Sequence, residues 1–124
     1  MKPQNTYQRN DSPSVHINGE VGLVRITGMA IAHRPDQEYE ELEKTILDYC
    51  LHPCSISSIN IQLTGISTNA SKWLYHLLKE IEKNYNTNKQ FVINWFYQEN
   101  DDFMLEVGED YQQIIDLPFY LISA

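Results

Sequence analysis

The 124-residue sequence predicts one α/β domain, a mixed sheet of four to five strands with helices packed on it. Three stretches carry that expectation. Ile59, Ile61 and Leu63 alternate with Ser58, Asn60 and Gln62, the period of a strand with one buried face. Leu74, Leu77, Leu78 and Ile81 then recur at helical spacing, with Lys72, His76, Lys79 and Lys83 on another face. Gln90 to Tyr97 is β-branched and aromatic, with little polar interruption, and reads as a central strand covered on both faces. Two strands joined by a helix of this length form a crossover, which favours parallel pairing and a right-handed connection.

Taken in order, residues 1–13 are polar, carry no apolar periodicity and are expected to form a flexible N-terminus; residues 14–124 form the domain. Val15 to Ile17 and Leu23 to Thr27, separated by Asn18-Gly19-Glu20, read as a β-hairpin. Asp36 is the expected N-cap of a helix in which Tyr39, Leu42, Ile46, Tyr49 and Cys50 line one side, closed by His52-Pro53. The strand beginning at Ile56 follows, then a helix from about Asn69 to Asn84 or Asn86, and a loop through Asn84-Tyr85-Asn86-Thr87-Asn88. Asn100-Asp101-Asp102 caps a short helix carrying Phe103, Met104 and Val107 and ended by Gly108. A second begins at Glu109-Asp110-Tyr111 with Ile114 and Ile115 inward, and Leu117 to Ile122 closes the chain as a strand for which Pro118 either dictates an edge position or serves as the entry.

Composition narrows the partners. No signal-peptide run opens the chain and no stretch approaches the ~20 apolar residues that span a bilayer, so a cytoplasmic protein without membrane insertion is expected. The net charge is −8. All nine Lys and Arg fall in residues 1–89, whereas residues 90–124 hold seven Asp and Glu and no basic residue. Such a segment repels a phosphate backbone, which argues against nucleic acid, and suits either water or a basic protein surface. Cys50 and Cys54, in C-L-H-P-C, match neither a redox pair nor half of a four-ligand zinc site, so two free thiols are expected.

The candidate site is Ile66 to Lys72, I-S-T-N-A-S-K, where strand gives way to helix. The first N–H groups of a helix lack intrahelical partners, and Ser67, Thr68, Asn69 and Ser71 all offer a side-chain oxygen. Thr68 is thus either a cap or, because free donors and the helix dipole suit an anion, a hydroxyl that carries phosphate. No Gly-rich phosphate loop, H-E-x-x-H or G-x-S-x-G is present. Asp101, Asp102, Glu106, Glu109 and Asp110 are dense enough for a metal but not spaced as an EF-hand, and read first as a solvated acidic surface. No cofactor is implied.

Two stretches together resemble one family. Val92 to Tyr111, V-I-N-W-F-Y-Q-E-N-D-D-F-M-L-E-V-G-E-D-Y, followed by Ile115-Asp116-Leu117-Pro118-Phe119, is similar to the aromatic strand, acidic Met-Leu-Glu segment, Gly-Glu-Asp-aromatic motif and Pro-Phe close of the SiaC family of bacterial regulatory phosphoproteins. Thr68 and Lys72 fit its Asn-Thr-Ser-Ser-x-Lys phosphosite, with Ser67 in place of the Asn and Asn69 and Ala70 in place of the two serines. The family's Pro-Glu-Asn near the first helix is replaced by His33-Arg34-Pro35-Asp36. The resemblance implies a STAS-like fold and a non-enzymatic partner switch. In it, an anti-sigma-type protein kinase phosphorylates Thr68, a PP2C-like phosphatase reverses this, and the unphosphorylated form binds an output protein such as a diguanylate cyclase. Asp101, Asp102, Glu106, Glu109 and Asp110 would offer a basic partner a second contact. A constitutive interaction module, with Thr68 only a cap, and a metal-dependent enzyme built on the acidic cluster are the alternatives.

Overall fold

A computed structural model of the chain describes residues 4–7, 12–85 and 88–124, the first four by backbone alone. Ten elements follow one another: β1 (Gln4–Tyr7), β2 (Ser14–Asn18), β3 (Leu23–Ala30), α1 (Pro35–Glu38), α2 (Glu40–Leu51), β4 (Ile56–Ile66), α3 (Thr68–Lys83), β5 (Gln90–Tyr97), α4 (Asp102–Ile114) and β6 (Phe119–Ser123). The strands lie side by side in sequence order in one mixed sheet. The β1–β2 and β2–β3 pairs are antiparallel, and β3 to β6 are mutually parallel.

The expected hairpin and crossover are both present. Gly22, at φ 72°, supplies the left-handed residue that returns the chain into β3, and its carbonyl accepts from Ser58 N at 2.8 Å. The sheet has six strands rather than four or five, because Gln4–Tyr7 pair with β2 where the sequence pattern held no element. Backbone hydrogen bonding to a neighbouring strand needs no apolar period, so polar residues serve at an edge. Residues 1–3, 8–11 and 86–87, parts of the expected N-terminal segment and of the expected loop, lie outside the described residues.

One face of the sheet carries the core. Val15, Val24, Ile26, Ile59, Ile61, Phe91, Ile93 and Trp95 are buried beneath the helices, against Leu74, Leu77, Leu78 and Ile81 of α3. On the other face Asn60, Asn94 and Phe96 are only half-buried and Arg25 is exposed. The expectation that β5 is covered on both faces is therefore corrected. Its run of apolar residues alternates between a buried set and a half-exposed set in which Val92 and Phe96 take part.

Three helix features differ from expectation. The helix expected from Asp36 to Cys50 is broken at Tyr39 into α1 and α2. Asp36 is not a cap: Arg34 occupies that place, Pro35 and Asp36 begin α1, and Glu38 Oε2 reaches back to accept from Arg34 N at 2.9 Å. Gly108 does not end a helix, since α4 runs unbroken through it to Ile114. A Cβ at Gly108 would fall 2.6 Å from Trp95 Nε1 and 2.9 Å from Leu121 Cδ2, so glycine is required by the close approach of α4 to the sheet. Trp95 Nε1 donates to the carbonyl of Met104 at 2.9 Å and secures that approach. Continuous helix also turns Ile114 outward, while Ile115 is buried.

Cys50 and Cys54 are free thiols, and burial pushes Cys50 up to about 12. Among the described residues no helix is long and apolar enough to cross a membrane.

Candidate functional site

The strand β4 delivers the chain at Ile66 into the groove between the β3–α1 connection and α4, and α3 starts there. Ser67 is the N-cap. Its extended backbone (φ −82°, ψ 163°) lets Oγ accept from Ala70 N at 3.1 Å, while the same hydroxyl donates to Ala32 O at 3.0 Å. Ser67 N donates to Ala30 O at 2.9 Å, and Asn69 Nδ2 donates to His33 O at 2.8 Å. The start of α3 is thus tied to the end of β3 and the β3–α1 connection by three hydrogen bonds, none of which involves Thr68.

Thr68 is the first residue of α3 and is exposed. The cap expected of it falls to Ser67, one residue earlier, because only Ser67 has the extended backbone that aims a side-chain oxygen back at the first-turn N–H groups. Among the described residues no hydrogen bond engages the Thr68 hydroxyl. Lys72 lies one turn further on and is also exposed, with no carboxylate partner among the described residues.

The first turn of α3 differs from every other helix. Acidic residues begin α1 (Asp36, Glu38), α2 (Glu40, Glu41, Glu43) and α4 (Asp102), but α3 has none. In a chain of net charge −8, the positive end of the longest helix dipole is left without a counter-charge on its own first turn.

Three clefts meet at this point. One of about 230 Å³ includes Ser67, Thr68, Lys72, Phe103 and Val107, and so brings the start of α3 against the first turns of α4. A second, of about 310 Å³, continues between the two helices past Ser71, Tyr75 and Asp110 to Ile114. The third, of about 370 Å³, lies on the other flank of α3, between His33, Asp36, Glu43, Trp73 and His76. Lys72 borders all three.

The floor of the inter-helix groove is held by hydrogen bonds and ring contacts. Tyr111 O–H donates to the carbonyl of Ser71 at 2.8 Å and accepts from Ser71 Oγ at 2.8 Å, and its ring meets Trp95 edge-on at 5.4 Å. Burial, with a smaller contribution from the Asp110 charge, pushes the Tyr111 phenol up to about 12. On the other flank Trp73 Nε1 donates to Glu43 Oε1 at 2.8 Å and its ring meets Tyr39 edge-on.

Of the expected acidic residues, Asp101 is used inside the fold: it caps α4, accepting from Met104 N at 3.1 Å. Asp110 lines the groove, and Asp102, Glu106 and Glu109 are exposed on α4. Among the described residues no group of three or more His, Cys, Asp or Glu is arranged to hold a metal ion. The sequence pattern puts Phe103 and Val107 on one short helix and Ile114 inward on a second, and so does not join them as the stripe that borders the groove on α4. Their spacing of four and seven residues was the available signal; taking Gly108 as a stop cut that stripe in two.

The SiaC family of regulatory phosphoproteins has a sequence model that matches residues 6–124. The chain belongs to that family. Three solved structures share the fold. Apo-SiaC from Pseudomonas aeruginosa superposes with a TM-score of 0.84 at 12% identity, covering 99% of this chain and all of that one. SiaC of the same organism in a second structure gives 0.83 at 13%, over the full length of both chains. A crystal structure of the diguanylate cyclase SiaD in complex with its activator SiaC, again from P. aeruginosa, gives 0.80 at 14%, over 97% of this chain and 99% of that one. At these identities the likeness to the solved structures is one of fold; no curated protein matches in sequence.

Proposed function

We propose that this protein is the non-enzymatic, cytoplasmic component of a phosphorylation-controlled partner switch, with Thr68 as the phosphate acceptor. The observation that carries the reading is that Ser67 caps α3 and leaves the adjacent Thr68 hydroxyl exposed at the only first turn, among the described helices, without an acidic residue. An anti-sigma-type kinase would add the phosphate and a PP2C-like phosphatase would remove it. The unphosphorylated form binds an output protein, for which a diguanylate cyclase is the leading class because the SiaC of P. aeruginosa is described as the activator of one.

The physical consequence of phosphate follows from its place. It adds about −1.5 to −2 charge and three strong acceptors at a dipole end one turn from Lys72, so it is held locally without refolding α3. The same group stands at the mouth of a groove bordered by Phe103 and Val107. A partner that lays an apolar side chain there meets a hydrated dianion instead, and a coupling of about 1–3 kcal/mol already changes affinity roughly 5- to 150-fold. Exposed Asp102, Glu106 and Glu109, with Asp110 at the groove, give a basic partner its second contact.

Capture from native-cell lysate with wild-type, Thr68→Ala and Thr68→Asp baits, read by quantitative mass spectrometry, tests the reading. The output protein is expected on the wild-type and Ala baits and depleted on the Asp bait. Identical recovery on all three would instead make the protein a constitutive binding module.

A further inference from the structure

The sheet face turned away from the helices has a composition of its own. The six strands contain no Asp, Glu or Lys, and a single Arg, although the whole chain carries 17 acidic residues. That one cation, Arg25, is exposed on this face, and no ion pair with a carboxylate holds it among the described residues. Register places Arg25 beside Asn60 and Asn60 beside Asn94, with Thr27, Gln62 and Phe96 forming the next row across the same three strands. Parallel strands normally have both faces covered. Here a concavity of about 480 Å³, lined by Arg25, Thr27, Asn60, Gln62 and Phe96, opens on the uncovered side.

We propose that this concavity binds a small anionic heteroaromatic ligand of the nucleoside monophosphate class, with its phosphate on Arg25 and its base on the ring of Phe96. The volume is that of a small-molecule site. Arg25 and Phe96 stand two strands and one row apart, roughly 12 Å between backbones, a span that the Arg25 side chain together with sugar and base bridges from a phosphate. Asn94 Nδ2 donates to Asn60 Oδ1 at 2.9 Å, which leaves the NH₂ of Asn60, on the wall of the concavity, as a donor for a base edge. Aromatic rings on an open sheet stack bases, and amide side chains read their edges. A single guanidinium in a chain of net charge −8 suits one phosphate and disfavours a polynucleotide. The strands of a second copy stacked on the same face would bring no carboxylate to Arg25, because they have none.

Titration of the ¹⁵N-labelled full-length protein with AMP, GMP, adenosine and inorganic phosphate tests this independently of Thr68. The monophosphates are expected to shift amides of β3, β4 and β5 saturably, with adenosine and phosphate alone at least tenfold weaker. Arg25→Gln and Phe96→Leu should each weaken binding at least tenfold; Arg25 is exposed, so its variant keeps the fold and decides the outcome if the Phe96 variant does not. No saturable shift at millimolar ligand, equal binding by Arg25→Gln, or shifts confined to the start of α3 would overturn the proposal. So would shifts of the same amides on raising protein concentration alone, which would assign the face to a second copy.

Discussion

The starts of α3 and α4 are built alike and charged differently. Each is capped by a side-chain oxygen that accepts from the N–H three residues on, at 3.1 Å in both: Ser67 from Ala70 and Asp101 from Met104. The residue after the cap is Asp102 in α4 and Thr68 in α3. So α4 carries its compensating charges permanently, whereas α3 carries a neutral hydroxyl at the same place. The lesson is that capping and charge compensation are separable. A helix start can be stable through its cap and still leave its dipole open to a reversible anion.

That contrast can be broken from several sides. The largest effect is expected where α4 is held to the sheet. Gly108→Ala should cost about 1–3 kcal/mol in urea unfolding, although alanine is the better helix former, because its methyl meets Trp95 and Leu121. A neutral result would show that Trp95 gives way. Next comes the link between the two helices. Tyr111→Phe removes both hydrogen bonds to Ser71 and should cost about 1–2 kcal/mol. Its phenol titrates near 12 folded against 10 unfolded, so the folded state holds the proton more tightly. That contribution is intact below pH 10 and is lost as pH rises towards 12, and on a Cys50→Ala background Tyr111→Phe should flatten the slope in this window.

The caps themselves are smaller. Ser67→Ala should destabilise by about 1 kcal/mol and Thr68→Ala by less than about 0.5 kcal/mol. The reverse order in thermal or urea unfolding would return the cap to Thr68. Smallest is the charge: Thr68→Glu should add about 0.3–1 kcal/mol at low salt, and Asp102→Asn should lose a similar amount. Both differences should shrink as salt is raised.

Much of this architecture was legible from local pattern. Period-two burial located β4, the apolar face of α3 was continuous, and Asp101 stood three residues before Met104, in the middle of Asn100-Asp101-Asp102, so the α4 cap was readable. What escaped depends on distant residues. Four oxygen-bearing side chains within five residues made the α3 cap locally degenerate; Ser67 took it through backbone geometry that also satisfies the β3–α1 connection. Gly108 looked like a stop because glycine often ends helices, and only Trp95, thirteen residues earlier on the neighbouring strand, explains it. The edge strand Gln4–Tyr7 and the uncovered face of β5 are properties of neighbours, which no apolar period encodes. The position of Thr68 and Lys72 at an exposed helix start was readable, whereas the groove with Phe103, Val107 and Ile114 required an uninterrupted α4.

The most direct test of the account is to map phosphate on the protein isolated from its native cells over several growth states, in parallel with Thr68→Ala and Ser71→Ala. One phosphate on Thr68 is expected in at least one state, absent from Thr68→Ala and retained in Ser71→Ala. Phosphate on another hydroxyl, or none on Thr68 in any state, would contradict the reading of this helix start as the switch.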